Sequence, residues 1–404
     1  MNHSLTRDQL LSIAEEFGTP VYVYHAEKIA EQFQKLKHAF RNDDVVFFYA
    51  CKALTNINIL RYIRAIGANV DCSSINEVKM AVRAGFEPQN ILYTSNGIAF
   101  DEIVEAKNLG VHINIDSISN LEKFGKKFGH SYPVGLRLRP NILAGGNLKI
   151  STGHAKSKFG IPVEHLDKVL ALVDQYKIFV RDLHIHTGSE IKDVDVFVKG
   201  IAVLFDLIPH FKELEFIDLG GGFKVPYKEG DGETDIQHLA EKVHEAFASH
   251  PNPDGRHLQI WFEPGKFLVS ESGYFITQVN VLKDTPGVHF AGVNSGFNHL
   301  IRPMFYDSYH HIENLSNPQG PEITYNIVGN ICETDTFAND RQIAEIREGD
   351  YLVFYNAGAY GFEMSSNFNS RLKPAEVLVK DGKAQLIRKR DEFEDLLRNQ
   401  IDLK

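Results

Sequence analysis

A lysine, a run of three glycines and a glutamate stand where buried stretches of this sequence end, and together they could do chemistry. Lys52 closes the run Phe47-Phe48-Tyr49-Ala50-Cys51. An ammonium in that place must be exposed, paired or neutralised. If desolvated, it becomes a nucleophile toward an aldehyde; read alone, Lys52 is more simply a lysine emerging at a rim. Gly220-Gly221-Gly222 follows Phe216-Ile217-Asp218-Leu219. Such a bend lets backbone N–H groups approach an anion without side-chain interference, although a plain tight turn would look the same. Glu263-Pro264-Gly265-Lys266 ends the run Leu258–Phe262. Its carboxylate could bind a metal, act as a base, or pair with a cationic ring nitrogen. No His or Asp cluster accompanies Glu263 at metal-ligand spacing, which weakens the first use. His184-Ile185-His186 alternates as on a strand, so both imidazoles face one side. A zinc pair would need a third ligand that the sequence does not reveal, whereas one imidazole lying against a cofactor ring needs none. An amine for an aldehyde, an anion-binding bend and a carboxylate for a ring nitrogen are the anchors of pyridoxal 5'-phosphate (PLP), whose protonated ring is the better electron sink.

The elements that must position these groups repeat along the chain. Apolar, β-branched runs end in polar or glycine residues, and helical stretches follow. The runs are Val45–Lys52, Ala68–Ser74, Ile91–Ser95, His112–Asp116, Val134–Pro140, Val180–Gly188, Phe216–Gly222 and Leu258–Gly265. Amphipathic segments such as Ile57–Ile66, Ile75–Ala84, Asp101–Leu109 and Val163–Tyr176 lie between them. This alternation predicts a parallel sheet, and eight units in one run predict a closed (β/α)8 barrel. An open doubly wound sheet is disfavoured because no G-x-G-x-x-G turn follows the first strand. In a barrel the C-terminal strand ends share one face. That face would gather Lys52, Asp71, Ser95, Asn96, Asp116, Arg137 or Arg139, His186, Ser189, the glycines and Glu263.

After about residue 270 short strands replace the alternation, among them Tyr274–Leu282, Ile323–Gly329, Tyr351–Asn356 and Glu376–Val379. Asp381-Gly382 marks a hairpin, and Asp391–Ile401 reads as a closing helix. Upstream, Thr6 caps a helix to Phe17, and the run Pro20–Tyr24 is placed to join the later strands. The expected organisation is residues 1–27 associating with a β domain, a barrel over 28–270, and the β domain over 271–404.

The 404 residues carry a formal charge of −10, which leaves no basic excess for a nucleic acid. Cys51, Cys72 and Cys332 are too few and too scattered for a disulfide framework. The polar stretch Met1–Leu10 lacks the apolar core of a signal peptide, and no apolar run is long enough for a bilayer. The expectation is a soluble cytoplasmic protein without membrane or nucleic-acid partners.

From Thr19-Pro20 to Pro374 the chain resembles the barrel-type PLP decarboxylases, which include the ornithine, arginine and diaminopimelate enzymes, with alanine racemase a more distant relative. The motifs are most similar to the diaminopimelate branch. Tyr49-Ala50-Cys51-Lys52-Ala53 resembles the motif whose lysine is bonded to the aldehyde carbon of PLP. Val70-Asp71-Cys72-Ser73 through Glu77 is similar to the second-strand motif near the cofactor, and Ser157-Lys158-Phe159-Gly160 to a loop shared by the group. His184 to Ser189 resembles the motif whose second histidine, here His186, stacks on the ring and whose serine, here Ser189, lies near the phosphate. Gly221 and Gly222 match the phosphate turn, and Glu263, Pro264, Gly265 and Lys266 the element facing the pyridine nitrogen.

The resemblance further implies that Arg302 and Tyr306 hold a substrate carboxylate and that Cys332 is the acid. It gives Glu333 the substrate's distal end and Tyr360, in Gly358-Ala359-Tyr360, contacts with cofactor and substrate. Glu333, and with it Asp335, would keep the Cys332 thiol protonated. Together these imply conversion of meso-2,6-diaminopimelate to L-lysine and CO2 by a homodimer whose active sites are shared. Decarboxylases of ornithine, lysine, arginine or carboxynorspermidine, a PLP racemase, and a non-catalytic PLP-binding protein are the competing expectations.

Three departures stand out. Lys266 replaces the usual arginine and loses a bidentate fork, Leu54 stands where asparagine is common, and Val293-Asn294-Ser295-Gly296 replaces Val-Asp-Ala-Gly.

Overall fold

Buried on both faces, the strands of a parallel barrel must be apolar almost throughout, and eight of the apolar runs form such strands. Counted along the chain, β1 is Val21–His25, β2 Val45–Ala50, β3 Asn69–Cys72, β4 Ile91–Thr94, β5 His112–Ile115, β6 Val134–Arg139, β7 Val180–Ile185, β8 Phe216–Asp218 and β9 Gln259–Phe262. The structure is a computed structural model that describes residues 5–142, 153–154, 156–249 and 255–403. Strands β2 to β9 pair in parallel, each with the next, and β9 closes the ring on β2. The (β/α)8 barrel expected from the alternation is the observed architecture. The strands stop earlier than the runs suggested: β7 stops at Ile185 and β8 at Asp218.

Register sets what fills the barrel. Thr94, Asn114, Gly135 and Asp182 are successive lateral neighbours, and so are Arg137, His184 and Asp218. Gly135 has to be glycine, since a Cβ there would lie 2.0 Å from Asn114 Oδ1 and 2.1 Å from Asp182 Oδ1. Several of the helices that cover the barrel start on side-chain caps, among them those that follow Asn56, Ser74 and Ser117. Ser74 accepts from the Glu77 amide, and the Glu77 carboxylate accepts from the Ser73 amide at 2.6 Å. Such reciprocal caps satisfy amides that have no partner within the helix.

The chain separates into two compact units. One contains Ala30–Val225 and Gly232–Leu268, and the other Met1–Ile29, Pro226–Asp231 and Val269–Lys404. The second unit is built on strands β10 (Gly273–Thr285), β11 (Val288–Val293), β12 (Ile312–Asn314), β13 (Glu322–Val328), β14 (Thr336–Ala344), β15 (Tyr351–Phe354), β16 (Ala375–Lys380) and β17 (Lys383–Arg388). Strand β1 lies between β10 and β16 in this sheet, antiparallel to the first and parallel to the second. Asp381 and Gly382, both at positive φ, turn the β16–β17 hairpin. The excursion Pro226–Asp231 is tied to this unit. Asn356 Nδ2 donates to the Pro226 carbonyl at 2.7 Å, and the Tyr227 hydroxyl is 3.0 Å from Ser270 Oγ. The closing helix is only Phe393–Leu397, shorter than the periodicity predicted. Phe393 and Leu397 are exposed, so little packing sustains further turns.

The motif departures are absorbed locally. Asn294 accepts from the Gln278 amide at 3.0 Å and donates to Thr19 Oγ1 at 2.9 Å, while Ser295 Oγ lies 3.1 Å from His299 Nδ1. Leu54 is buried, and its carbonyl accepts from the Tyr49 hydroxyl. Among the described residues no helix is long and apolar enough to cross a membrane.

Candidate active site

Lys52 sits in the single turn Cys51–Ala53 directly after β2. Its side chain is half-exposed, and Nζ lies 3.6 Å from Oδ2 of the fully buried Asp71 on β3. Neither Asp71 oxygen finds a hydrogen-bond partner among the described residues. Burial, then the nearby Glu263, raises the Asp71 carboxyl well above the usual carboxylate range, and Lys52 opposes this.

Glu263, at the end of β9, is buried between two strands' polar groups. Thr94 Oγ1 donates to Oε1 at 3.4 Å and itself accepts from Asn114 Nδ2 at 3.0 Å, while His184 Nε2 lies 3.4 Å from Oε2. Burial alone would raise the Glu263 carboxyl. The hydrogen-bonding His184 imidazole and the Lys52 ammonium more than offset it, so Glu263 is held below the usual range and stays ionised. Burial lowers His184 and keeps it neutral. Arg137 also belongs to this charge cluster, and Glu263, Asp116, Asp71 and Asp218 all favour its cation against burial. Of the two arginines offered by the sequence, Arg139 turns elsewhere and donates to the Ser157 carbonyl.

No third ligand for the histidine pair was evident in the sequence, yet folding brings Asp218 and Glu263 to His184, with one donor atom of each within 4.8 Å of the others. Burial and Glu263 hold the Asp218 carboxyl well above the carboxylate range, and one of its oxygens accepts from the Gly220 amide at 2.8 Å. The three side chains form a compact polar group around Glu263.

The triple glycine is dictated by backbone geometry. Gly220 and Gly222 have φ of +67° and +107°, and a Cβ on Gly221 would lie 2.2 Å from the Glu263 carbonyl oxygen. Two of its amides are already used. Gly220 donates to Asp218, and Gly221 donates to His186 Nδ1 at 3.1 Å. Gly222 is left as the remaining amide of the bend, so the turn offers an anion fewer donors than the sequence implied. The Gly221 bond fixes the His186 tautomer, with the proton on Nε2, and burial lowers this imidazole to about 3. Ser189 follows on the same loop, partly exposed. Pro264 and Gly265 bring the chain back against β2: the Ala50 amide donates to the Pro264 carbonyl, and a Cβ on Gly265 would meet Ala50 at 3.1 Å. Lys266 is buried, and its Nζ donates to Glu190 Oε1 at 2.7 Å.

A half-exposed amine, a neutral imidazole with one nitrogen engaged, an ionised buried carboxylate and a glycine bend fit the donor set that PLP needs. A pyridoxal-dependent decarboxylase, pyridoxal-binding domain model matches residues 26–270. The chain belongs to the pyridoxal-dependent decarboxylases. Among curated relatives of this decarboxylase, the diaminopimelate decarboxylase of Methanothermobacter thermautotrophicus is 38% identical, over 96% of this chain and 93% of that protein. The Escherichia coli K12 diaminopimelate decarboxylase is 36% identical, over 97% and 96%. A crystal structure of Helicobacter pylori diaminopimelate decarboxylase complexed with L-lysine superposes with a TM-score of 0.88 at 31% identity, covering 96% of this chain and 98% of that one.

The remaining candidates lie in the second unit of the decarboxylase. Arg302 opens the short helix Arg302–Tyr306 and is buried. Its Nη2 donates to the Tyr227 hydroxyl at 3.1 Å and to Ser308 Oγ at 3.3 Å, and its guanidinium lies 5.9 Å from the Tyr306 ring centre. Tyr360 has a φ of 56° and follows Gly358, where a Cβ would lie 1.9 Å from the Val269 carbonyl oxygen. Cys332 and Glu333 are exposed on one loop. Asp335 does not face the thiol. Its carboxylate accepts from the Phe297 amide at 2.7 Å and the Ile331 amide at 3.1 Å, and so braces the loop. Sequence reasoning missed Tyr227, Glu190, Asp182 and Asn114. The period-two spacing of Asp182 with His184 was the available signal for one of them.

Proposed function

We propose that this decarboxylase converts meso-2,6-diaminopimelate to L-lysine and CO2, as a cytoplasmic homodimer with shared active sites. The carrying observation is the pairing of Lys52 and Asp71 at the strand ends with an ionised Glu263, in a chain alike over its full length to diaminopimelate decarboxylases. The L-lysine complex of the Helicobacter pylori enzyme supports the product, and the free thiols of Cys51, Cys72 and Cys332 suit a reducing compartment.

Bound PLP supplies the electron sink for the pair released as CO2 leaves. In this reading Lys52 would hold the aldehyde end of the cofactor and Asp71 would steady its amine. Glu263 would keep a negative charge for the ring nitrogen, His186 would serve the ring, and the Gly221-Gly222 bend with Ser189 would receive the phosphate. Pro264, Gly265 and Lys266 shape the wall beside it, where Lys266 also offers its charge to the substrate. Arg302 and Tyr306 hold the substrate carboxylate. Arg302 Nε is buried without a partner among the described residues, and such a donor calls for an acceptor. Glu333 takes the distal ammonium, Tyr360 closes on cofactor and substrate, and Cys332 returns a proton from Sγ.

Incubating PLP-loaded protein with meso-diaminopimelate should give L-lysine and CO2. Putrescine from ornithine or cadaverine from lysine at a higher rate, or an epimer without CO2, would overturn the substrate assignment.

A further inference from the structure

The Cys332 loop is laced to a second segment far away in sequence. Asn369 Oδ1 accepts from the Cys332 amide at 3.0 Å, and Asn369 Nδ2 lies 3.2 Å from Cys332 Sγ as its donor. The amide orientation is not arbitrary: the Cys332 N–H needs an acceptor, so the oxygen faces it and the NH2 group faces the sulfur. One turn later Arg371 Nη2 donates to the Asn330 carbonyl at 3.1 Å. Asn369 and Ser370 both occupy the left-handed region, with φ of 56° and 54°. Two consecutive non-glycine residues there are strained, and such strain persists where surrounding bonds enforce it and clusters at functional sites. The neighbouring Asn367 braces the same bend through the Arg371 carbonyl at 2.9 Å and Asp391 Oδ2 at 3.0 Å.

We propose that Asn369 is the positioning residue of the Cys332 thiol, fixing Sγ and stabilising the thiolate that remains once its proton has gone. The proposal rests on the reading of Cys332 as proton donor. In that step the electron pair left at the substrate α-carbon by C–CO2 cleavage takes the Sγ proton. The S–H bond breaks as the C–H bond forms, sulfur keeps its pair, and water later reprotonates it. An N–H aimed at sulfur favours the charged form, so the bond strengthens as the proton leaves. Asp335, bound to backbone amides, cannot supply this, and Glu333 would oppose it.

Cys51 and Cys72 are buried and Cys332 is exposed, so iodoacetamide labelling of the native holoenzyme reads Cys332, with Cys332→Ser as blank. Asn369→Asp keeps the acceptor for the Cys332 amide but sets a carboxylate oxygen against sulfur. Its midpoint of labelling against pH should rise by about one to two units, and turnover should fall about tenfold or more with PLP absorbance retained. Asn369→Gly, which relieves the strained φ, serves if the aspartate variant does not fold, and should give a smaller rise in the same direction. An unchanged midpoint in the folded variants overturns the proposal. Full decarboxylation by Cys332→Ala would instead remove the donor role, and the labelling midpoint would still report whether Asn369 holds the thiol.

Discussion

Gly222→Ala should destabilise the barrel through two separable costs. Gly222 has a φ of +107°, and a Cβ there would lie 2.2 Å from the Gly188 carbonyl oxygen and 3.0 Å from Ile191 Cδ1. An L-residue at positive φ costs about 1–2 kcal/mol. A methyl driven onto a backbone carbonyl adds an overpacking cost of about 1–3 kcal/mol, because that carbonyl belongs to the loop held by the Ile191 amide bond to Gly222. The total is about 2–5 kcal/mol. Gly67 supplies the control, with a φ of +93° and nothing within 4 Å of the added atom, so Gly67→Ala should show the first cost alone. The sequence has one tryptophan, Trp261, buried in β9, so urea unfolding followed by its fluorescence reports the barrel. PLP affinity should fall about tenfold or more for Gly222→Ala and stay unchanged for Gly67→Ala. Equal urea midpoints and equal affinities for the two variants would refute the close-approach argument.

Lys52→Ala should lose both the visible absorbance of bound PLP and all turnover; mixing it with Cys332→Ala should restore up to about a quarter of wild-type activity if the sites are shared, and no recovery on subunit exchange would count against sharing. Glu190→Gln leaves the buried Lys266 ammonium without its 2.7 Å partner and should cost about 1–3 kcal/mol, read from urea midpoints; a loss within error would show that the pair contributes nothing. Burial holds His299 down at about 4, so as pH falls below about 6.5 the unfolded chain takes up a proton that the native state refuses, and stability declines until about pH 4. His299→Asn should make that limb of a stability–pH profile shallower and leave the profile unchanged above pH 7.

The barrel was legible because its strands are buried on both sides. Runs such as Val45–Ala50 are then apolar almost without break, and the chemistry gathers where the runs stop. Lys52, the glycine bend and Glu263 were found by that rule. The same rule hid Asn114 and Asp182, which lie inside strands and look like interruptions until register places them side by side across Gly135. Tyr227 was illegible for another reason. A six-residue excursion, Pro226–Asp231, has no periodicity of its own, and its place in the second unit follows from bonds to Ser270, Arg302 and Asn356. Asn369 stands 37 residues from Cys332, in a bend whose sequence carries no pairing signal. Lys266 was read as a weakened anion grip, and its partner Glu190 became visible only in three dimensions.

The acids in the barrel interior gain their sense from being unlike one another. Asp71, Asp182 and Asp218 are fully buried, and burial first, with Glu263 adding to it, raises all three well above the carboxylate range. Burial thus favours their protonated forms, which lessens the cost of desolvating several anions together. Glu263 is buried as deeply, yet the His184 hydrogen bond and the Lys52 ammonium hold it down. One carboxyl of these four is shifted the other way, toward its charged form, and it is the one at the end of the last barrel strand. A second ionised acid beside it would share any cation brought to the floor of the site, and so would weaken the pairing with a protonated ring nitrogen. A shift of its neighbours toward the protonated form favours that pairing for Glu263.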